Sequence, residues 1–471
     1  MTVKPKELVG ESNNRGSPAR RAPARPVGRR RVRGVSSQPA WIVEPNGPLH
    51  GEVRVRGSKN AVTKHLVAAM LGDSPSTIRN VPDVGDVAIT RDILTSLGVG
   101  IAIDGEVATV SPTRTPTPQV PMSFTGLNRI PILLLGPLLT LVGEAFVPLV
   151  GGDPIGRRPV DFHVAALRAL GAEVEVGADG VHAKAQRLHG ARIELPYPSV
   201  GATESVLLSA VLAEGRTVLR NAATEPEVIE LALFLQRMGA NIGLAPSRRI
   251  VIDGVDRLHG ASTTLAGDRL EAFSYLVAGL VTGGQVRVAG CAQSALVTAI
   301  NTLYGMGAEF EITDEWITAW APGPLRPAAV QTDTHPGFMT DWQTPLMVLF
   351  SRAEGMSVLH ETVFENRLVY VPALKQMGCE IELFSTCLGG PACQFHDTNA
   401  VHSAVVKGGS PLRGAEVDIP DVRAGFSSVI AAAAADRPSV LRGIRHLIRG
   451  YHRPAEQMRS LGLALREVPA Q

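Results

Sequence analysis

The chain has 471 residues and a formal net charge of +2. Its composition, 45% hydrophobic and 19% charged, is too apolar for a disordered chain. The longest apolar stretch, residues 130–142, is too short for the roughly 18 residues of a membrane span. The four cysteines, Cys291, Cys379, Cys387 and Cys393, show no CxxC spacing, so we expect neither a zinc site nor a disulfide framework. We also expect a cytoplasmic protein without a membrane partner.

Residues 1–40 form a basic segment that we expect to be a disordered tail. They hold ten Lys/Arg against two Glu, so residues 41–471 keep 36 basic against 42 acidic side chains. Such a Pro-, Gly- and Arg-rich segment has too little apolar surface to offset its ordering entropy. A weak contact with nucleic acid or an anionic surface and an organelle transit peptide are the alternatives, and no nucleic-acid partner is expected for the rest of the chain.

From Trp41 onward a helix-ending phrase recurs, as in SLGVG, ALGAE and QMGCE. An amphipathic segment precedes each phrase, and an alternating segment typical of a half-buried strand follows most of them. A second phrase opens several units, as in LHGEVRV and LRGAEVDI. Each unit therefore reads strand, helix, strand, helix, strand, strand. We expect a left-handed glycine cap after each of six helices, at Gly98, Gly171, Gly239, Gly307, Gly378 and Gly462.

The six units predict a pseudo-symmetric α/β protein. They lie about 70 residues apart, with a longer last interval, which is too long for a solenoid repeat. Three units per globule give two domains of about 200 residues each, a size that one core can support. A linker near residues 265–269 is the predicted boundary.

Two segments place charge where a strand turns into a helix. In GSKNAV, Lys59 and Asn60 stand at a helix start, where free N–H groups favour anions. In GGDPIGRRPVDFH, a glycine-rich loop carries Asp153 and is followed by two arginines and by Pro159 at the expected first helical position. This pattern is typical of a lid over an anionic ligand, and a solvated turn with ordinary helix caps is the alternative.

Further polar residues stand at other helix entrances. Asp341 lies in HPGFMTDWQ, Glu365 to Arg367 lie in ETVFENR, Asp421 and Arg423 lie in DVRAG, and Arg129 precedes a buried helix. Capping of the helix by an acid is the alternative for Asp341 taken alone. If these ends converge, Lys59, Arg129, Arg158 and Arg423 would face a small, multiply charged anion such as a phosphate ester with a carboxylate. The chain has no GxxxxGK[ST], GxGxxG or GxSxG motif, which weighs against nucleotide hydrolysis and dinucleotide chemistry.

Together these motifs resemble the enolpyruvyl transferases, with GSKNA, GGDPIGRRPVDFH, PSVGAT, HPGFMTDWQ, ETVFENR and DVRAG carrying the resemblance from Trp41 to the C-terminus. The resemblance implies an α/β fold of two inside-out α/β barrels built from six repeated βαβαββ-like units, with the active site between them. It places residues 41–58 and 267–471 in one globule and residues 59–266 in the other. The RPVD segment favours the branch that uses a uridine nucleotide over the one that uses shikimate 3-phosphate.

The resemblance also implies roles by matching position. Lys59 and Asn60 match a pair that contacts phosphoenolpyruvate and the sugar, and Asp341 matches a base near the sugar 3′-hydroxyl. Arg129, Arg158 and Arg423 match arginines that hold the phosphate and carboxylate, and Val363 matches a substrate contact. The uridine and diphosphate contacts correspond to Arg158, Pro159, Val160, Asp161, Phe162, Ser199, Val200 and Gly201.

The implied activity transfers the enolpyruvyl group of phosphoenolpyruvate to the 3′-hydroxyl of UDP-N-acetylglucosamine, the first committed step of peptidoglycan synthesis. It proceeds by addition and elimination and uses no metal or organic cofactor. Lys59 and Arg423 assist the chemistry, Asp341 is the base and Asp153 is the proton donor. The partners are therefore two small molecules, phosphoenolpyruvate and a uridine nucleotide sugar.

Two positions depart from the family pattern. Asp153 stands where the family usually has Cys, and a carboxylate is a poor nucleophile toward an epoxide, so we expect resistance to fosfomycin. Tyr197 and Pro198 stand where the family usually has a Lys near the diphosphate. Transfer to a simpler uridine nucleotide such as UMP, in a nucleoside-antibiotic pathway, is therefore the alternative, and an inactive regulatory paralogue is a further one.

Overall fold

The computed structural model describes residues 39–156, 159–388 and 393–469. The predicted tail, apart from its last two residues, lies outside the described residues, and the first strand begins at Ala40. In chain order the described strands are β1 (Ala40–Glu44), β2 (His50–Arg54), β3 (Ser76–Arg79), β4 (Gly100–Asp104), β5 (Val107–Ser111), β6 (Glu144–Pro148), β7 (Glu173–Val176), β8 (Gly180–Lys184), β9 (Arg192–Glu194), β10 (Arg216–Arg220), β11 (Asn241–Ala245), β12 (Arg249–Asp253), β13 (Ser262–Thr264), β14 (Gln285–Ala289), β15 (Glu309–Ile312), β16 (Trp316–Trp320), β17 (Ala329–Gln331), β18 (Met356–His360), β19 (Glu380–Phe384), β20 (Ser403–Lys407), β21 (Glu416–Asp418), β22 (Ser439–Arg442) and β23 (Ala464–Val468).

The described α-helices are short, and most of them connect two strands. They are α1 (Lys59–Ala69), α2 (Gly85–Ser96), α3 (Leu135–Val142), α4 (Asp161–Ala169), α5 (Val200–Ala210), α6 (Pro226–Arg237), α7 (Arg269–Thr282), α8 (Val297–Gly305), α9 (Gln343–Phe350), α10 (Val371–Gln376), α11 (Val422–Ala433), α12 (Ile444–Ile448) and α13 (Pro454–Ser460). Short 3₁₀ helices occupy Met122–Phe124, Ile130–Leu134, Gln293–Ala295 and Thr340–Trp342.

The strands form six open sheets with one recurring strand pattern. The orders are β21-β22-β1-β23, β11-β12-β10-β9, β13-β3-β5-β4, β15-β16-β14-β2, β17-β18-β20-β19 and β6-β8-β7. In each four-stranded sheet one outer strand is parallel to its neighbour and the other pairs are antiparallel. The three-stranded sheet has a single parallel bridge, between Gln119 and Phe146, in the place of the fourth strand. The predicted closure of these sheets into barrels stays a prediction.

Buried apolar residues form two separate clusters. One contains residues between Ala61 and Leu265, and the other contains residues between Trp41 and Val55 together with residues between Leu270 and Leu465. We call them the 61–265 core and the composite core. The split supports the proposed division into two globules. Within the composite core, α7, α9 and α11 pack on one another and are buried almost throughout, which the small side chains of α11 permit.

The chain passes between the two cores at residues 55–60 and again at 264–269. Gly57 and Gly267 pair across this crossing in an antiparallel bridge. A side chain at Gly57 would collide with the Asn80 carbonyl, and one at Gly267 would collide with the Gly290 carbonyl. Because both backbones approach so closely, only glycine fits at these two positions.

The predicted helix caps are confirmed. All six glycines that follow the repeated helix-ending phrase have φ between 90° and 103°, the left-handed region that glycine adopts without strain. The predicted helix starts at Lys59 and Asp421 are also confirmed. Pro159 is a correction, because α4 begins at Asp161 and the proline precedes the helix instead of opening it. Among the described helices, none combines the length and the apolar character needed to cross a membrane.

Candidate active site

Lys59 is the first residue of α1, at the crossing between the two cores. Its main-chain N–H donates to Asp268 Oδ2 at 3.1 Å, and its Nζ lies 3.3 Å from Asp86 Oδ2. Ser58 caps the helix by accepting a hydrogen bond from the Asn60 N–H. The Lys59 side chain is 18% exposed, so its charge is fixed in position but still accessible.

Asp86 joins Lys59 to a residue far along the chain. It stands in the first turn of α2, and its Oδ1 accepts from Arg449 Nη2 at 3.0 Å and from Arg449 Nε at 3.2 Å. Burial opposes ionisation of Asp86, but the charges of Lys59 and Arg449 outweigh burial and hold its pKa below the ordinary value. We call these three residues the Lys59 cluster. The sequence reasoning did not single out Asp86 or Arg449.

A second group of charges surrounds Asp341 at the entrance to α9. Arg367 Nη2 donates to Asp341 Oδ1 at 2.9 Å, and Arg423 Nε lies 3.6 Å from Asp341 Oδ2. Arg367 Nη1 also lies 3.8 Å from Asp421 Oδ1. The side chains of Arg367 and Arg423 are 1% and 4% exposed, whereas that of Asp341 is 22% exposed. We call these four residues the Asp341 cluster. The Asp341 carboxylate is the accessible part of this otherwise buried ion network.

The arginines of this cluster keep donor capacity in reserve. Arg423 Nη1 and Arg367 Nε are buried without a hydrogen-bond partner among the described residues. Buried polar groups are normally paired, so these N–H groups are suited to an anionic ligand. Arg423 also lies over the ring of Tyr451, with its Cζ 5.1 Å from the ring centroid.

Asp268 links the Lys59 cluster to the Asp341 cluster. Burial lowers the pKa of Arg423, but the neighbouring Tyr451, Asp341 and Asp268 outweigh it and raise that pKa above the ordinary value. Asp268 is also the residue that accepts from the Lys59 N–H. Charges predicted from helix starts in both cores, those of Lys59, Asp341 and Arg423, therefore belong to one connected region.

The glycine-rich loop at residues 151–156 packs against the composite core. The Asn366 side chain donates to the Pro154 carbonyl at 3.1 Å, and the Asn366 N–H donates to the Ile155 carbonyl at 3.1 Å. A side chain at Gly156 would collide with the Glu365 carboxylate, and φ at this glycine is 153°. The loop therefore lies on the segment that leads to Arg367.

The half-buried Asp153 stands near the tip of this loop. Its charge raises the pKa values of Arg367 and Asp421, although burial is the larger influence on both groups. The carboxylate is thus within electrostatic reach of the Asp341 cluster. Arg157 and Arg158, which follow the loop, lie outside the described residues.

The predicted nucleotide contacts form a neighbouring wall on the 61–265 core. Arg129 Nη2 donates to the Pro159 carbonyl at 3.4 Å, and Ser199 caps α5 by accepting from the Ala202 N–H. His163 lies against Gly201 and its Nδ1 is 2.6 Å from Ser205 Oγ. Burial and the charge of Arg129 lower the pKa of His163 to about 3. The wall comprises Arg129, Pro159, Val160, Asp161, Phe162, Ser199, Val200 and Gly201.

Val363 is tied to the helix entrance that carries Asp341. Its N–H donates to Glu361 Oε1 at 2.7 Å. The other oxygen of the buried Glu361 accepts from Thr340 Oγ1 at 2.9 Å and from Gln343 Nε2 at 2.7 Å. Glu361 therefore fixes the residues on both sides of Asp341 in relation to the strand end that carries Val363.

Tyr197 is half-buried and faces acidic residues of the composite core. Burial and the charges of Glu361 and Asp333 raise its pKa above the ordinary value, so its hydroxyl stays neutral at physiological pH. The charge of Arg248 acts against this shift. Arg248 spans the two cores, since its guanidinium donates to Thr334 Oγ1 at 3.2 Å and to the His335 carbonyl.

The arrangement combines the accessible Asp341 carboxylate, two buried arginines, a lysine fixed by an ion pair and a loop that carries a second acid. These groups suit proton transfer beside a small, multiply charged anion, as the sequence predicts.

Comparisons with known proteins place the chain in a family. Residues 43–458 match the family described as EPSP synthase (3-phosphoshikimate 1-carboxyvinyltransferase). The UDP-N-acetylglucosamine 1-carboxyvinyltransferase of Chlamydia pneumoniae is 45% identical over 423 residues, which cover 88% of this chain and 92% of that protein. The enzyme of the same name from Protochlamydia amoebophila is 43% identical over 425 residues, covering 88% of this chain and 91% of that protein.

Solved structures show the same fold. The enolpyruvyl transferase NikO from Streptomyces tendae has a TM-score of 0.81 and 25% identity, covering 92% of this chain and all of that one. An EPSP synthase from Acinetobacter baumannii has a TM-score of 0.66 at 19% identity and supports the fold alone. The chain has the enolpyruvyl transferase fold, and it belongs to the enolpyruvyl transferase family in the branch of the UDP-N-acetylglucosamine 1-carboxyvinyltransferases.

Proposed function

We propose that this protein transfers the enolpyruvyl group of phosphoenolpyruvate to the 3′-hydroxyl of UDP-N-acetylglucosamine and releases phosphate. The observation that carries the proposal is identity of 43% and 45%, over almost nine tenths of the chain, to two enzymes named for this reaction. The UDP-sugar is the favoured acceptor because both of these enzymes are named for it, whereas the enolpyruvyl transferase NikO is only 25% identical. The product would enter peptidoglycan synthesis.

The Lys59 cluster is the proposed grip on phosphoenolpyruvate. Lys59 and Arg449 each keep an exposed fraction of side chain, and Asp86 holds both in place. Two cations close together match the phosphate and carboxylate of the donor better than either one alone. Arg423 adds a buried guanidinium from the neighbouring cluster, and Arg129 contributes a further guanidinium from the nucleotide wall, where it donates to the Pro159 carbonyl.

Asp341 is the proposed general base. Arg367 and Arg423 hold its carboxylate in one orientation, and its exposed fraction lets it reach a substrate hydroxyl. It takes the proton of the 3′-hydroxyl, and that oxygen bonds to the central carbon of phosphoenolpyruvate while the methylene carbon is protonated. The result is a tetrahedral ketal that still carries the phosphate.

Elimination reverses the proton transfer at carbon. The former methylene carbon gives up a proton as the bond from the central carbon to the phosphate oxygen breaks, which leaves an enol ether and inorganic phosphate. Asp153 is the proposed acid that supplies the proton in the addition. The contact between its loop and Asn366 would exclude water while the ketal exists.

The uridine and diphosphate would lie along the wall formed by Asp161, Phe162 and the start of α5. The helix N-termini there present free N–H groups to phosphate oxygens. Tyr197 supplies a neutral hydroxyl where relatives carry a lysine. Arg248 is the nearby cation, and we assign it the charge that this substitution removes.

An acceptor panel tests the proposal. Phosphate release from phosphoenolpyruvate is measured with UDP-N-acetylglucosamine, with UMP and without acceptor, and the nucleotide product is identified by mass. Release with the UDP-sugar and a product heavier by one enolpyruvyl group is the expected result. Release with UMP alone would replace the acceptor, and no release with either would replace the enzyme by a regulatory protein.

A further inference from the structure

Four potential metal ligands converge at one end of the sheet β17-β18-β20-β19. They are His360, Cys387, Cys393 and His402, and their ligand atoms all lie within 4.8 Å of one another. His360 ends β18, His402 immediately precedes β20, and Cys387 follows β19, so three neighbouring strands supply three of the four. The two histidines are buried and the two cysteines are partly buried.

Two of the spacings, both from Cys387, match those of a tetrahedral zinc site. Bonds of about 2.3 Å to sulfur and about 2.0–2.1 Å to nitrogen, at tetrahedral angles, separate two sulfurs by about 3.8 Å and a sulfur from a nitrogen by about 3.6 Å. Cys387 Sγ lies 3.7 Å from Cys393 Sγ and 3.5 Å from His402 Nε2. A disulfide requires about 2.0 Å between the sulfurs, so this pair is not one.

The surrounding hydrogen bonds leave the correct atoms free for a metal. His402 Nδ1 lies 2.8 Å from the Ala400 carbonyl, which fixes the ring and directs Nε2 toward Cys387. The Phe395 N–H donates to Cys393 Sγ at 3.3 Å, as backbone amides do to metal thiolates. His360 Nε2 is buried and has no hydrogen-bond partner among the described residues. Such support of a ligand ring from outside is characteristic of metal sites.

The prediction of no zinc site rests on the absence of CxxC spacing and of His-rich neighbours around the cysteines. Here five residues separate Cys387 from Cys393, and His360 lies 27 positions before Cys387. His360 joins the other three ligands only when β18 pairs with β20, so the linear spacing of Cys387, Cys393 and His402 shows only part of the cluster.

We propose that His360, Cys387, Cys393 and His402 form a structural Zn²⁺ site. Two thiolates and two imidazoles in a tetrahedron with no open position are typical of zinc in a structural role. Neither the sheet nor the family comparison requires this site, and the proposal does not depend on the acceptor of the transfer reaction.

The site would brace one wall of the active site. Gln394, next to Cys393, donates to the Thr362 carbonyl at 2.6 Å and to the Val363 carbonyl at 3.3 Å. His360 is followed directly by Glu361, whose carboxylate fixes the residues on both sides of Asp341. A metal held at this point therefore anchors both the strand end and the segment after it.

Metal analysis of the full chain tests the proposal. Protein produced with added zinc and then dialysed is expected to retain one zinc ion per chain, as measured by elemental mass spectrometry. Cys387→Ser, Cys393→Ser and His402→Ala are each expected to weaken zinc binding by about tenfold or more. In protein loaded with Co²⁺ instead, tetrahedral ligand-field bands and a thiolate charge-transfer band are expected, and the latter weakens when one cysteine is replaced.

Two variants serve as matched controls. Cys379→Ser changes a buried thiol outside the cluster, and His396→Ala changes an exposed imidazole whose Nδ1 lies 3.7 Å from Cys387 Sγ. Both are expected to keep the zinc. The proposal fails if the native chain retains no zinc, if the cysteine pair is recovered as a disulfide, or if His396→Ala releases the metal while His402→Ala retains it. None of these measurements uses phosphoenolpyruvate or a nucleotide.

Discussion

The Lys59 cluster and the Asp341 cluster lie side by side but differ in burial. In the first, Lys59 and Arg449 are 18% and 22% exposed and share one carboxylate. In the second, the two arginines are almost fully buried, and the carboxylate is the group that reaches solvent. In the Lys59 cluster two accessible cations flank a buried acid. In the Asp341 cluster an accessible acid is held by two buried arginines.

This inversion separates two tasks. Accessible cations that a buried acid holds in place can bind the phosphate or carboxylate of a ligand, so the Lys59 cluster suits binding. Buried cations cannot leave Asp341, so they hold a base in one orientation while its own oxygen stays accessible. Variants in the two clusters should therefore differ in whether they change binding, turnover or stability.

The largest expected effect is on turnover at Asp341. Asp341→Asn keeps the shape but cannot accept the proton, and kcat should fall by about 10²- to 10⁴-fold. The measurement is phosphate release at saturating substrates. Asp314→Asn, the same change at an exposed position between β15 and β16, should leave kcat unchanged. Native turnover in Asp341→Asn would remove the base assignment.

The next effect concerns stability at Arg367. Arg367→Met leaves Asp341 and Asp421 without their shared cation, and breaking a buried ion pair in this way costs about 3–5 kcal/mol. Denaturant unfolding measures this loss. Arg352→Met, at an exposed arginine, is the control and should change the unfolding free energy by less than about 0.5 kcal/mol. An equal loss in both variants would mean that the Asp341 cluster is not a buried frame.

Three of the proposed site residues can be recognised from local sequence alone. Lys59, Asp341 and Arg423 stand at helix entrances inside recognisable phrases, and the six capping glycines repeat at nearly constant spacing. Asp86 reads as an ordinary acid in a first helical turn, and Arg449 follows a five-residue helix without any pattern of its own. Their pairing spans 363 positions, and only folding brings them together.

The proposed zinc ligands were also not predicted from the sequence. Cys387, Cys393 and His402 lie on the connection between β19 and β20, whereas His360 ends β18 and joins them only when β18 pairs with β20. Conversely, the start of α4 was placed two residues early, because Pro159 fits a first helical position equally well in an isolated sequence. Local chemistry thus predicts element ends and caps, whereas charge pairs and ligand sets depend on tertiary contacts.

A smaller effect is expected at Asp86, and it separates binding from turnover. Asp86→Asn removes the carboxylate that holds Lys59 and Arg449, and the loss of charged hydrogen bonds should raise KM for phosphoenolpyruvate about tenfold with little change in kcat. Asp83→Asn is the matched control, because Asp83 pairs with Arg453 on the exposed surface and should have almost no effect. A lower KM in Asp86→Asn would show that this acid competes with the ligand.

The same carboxylate gives a pH dependence with a definite sign. The pKa of Asp86 is lowered in the folded protein, so the stability it contributes is complete above the unfolded value of about 3.9. That contribution is lost as pH falls through the folded pKa. The difference in unfolding free energy between native protein and Asp86→Asn should therefore stay constant from neutral to mildly acidic pH and shrink only in stronger acid.

The smallest expected effect is the absence of inactivation by fosfomycin, and it concerns the loop that lies beside the Asp341 cluster. A thiolate attacks the epoxide carbon and opens the carbon–oxygen bond, whereas the Asp153 carboxylate is a poor nucleophile for this step. Turnover of the native protein should be unchanged after incubation with fosfomycin. Asp153→Cys should keep measurable turnover and lose it on incubation, with a mass increase of one fosfomycin on the loop peptide. An adduct on Asp153 in the native protein would contradict this prediction, and an introduced thiol that stays unmodified would mean that the loop does not present its tip to the phosphoenolpyruvate site.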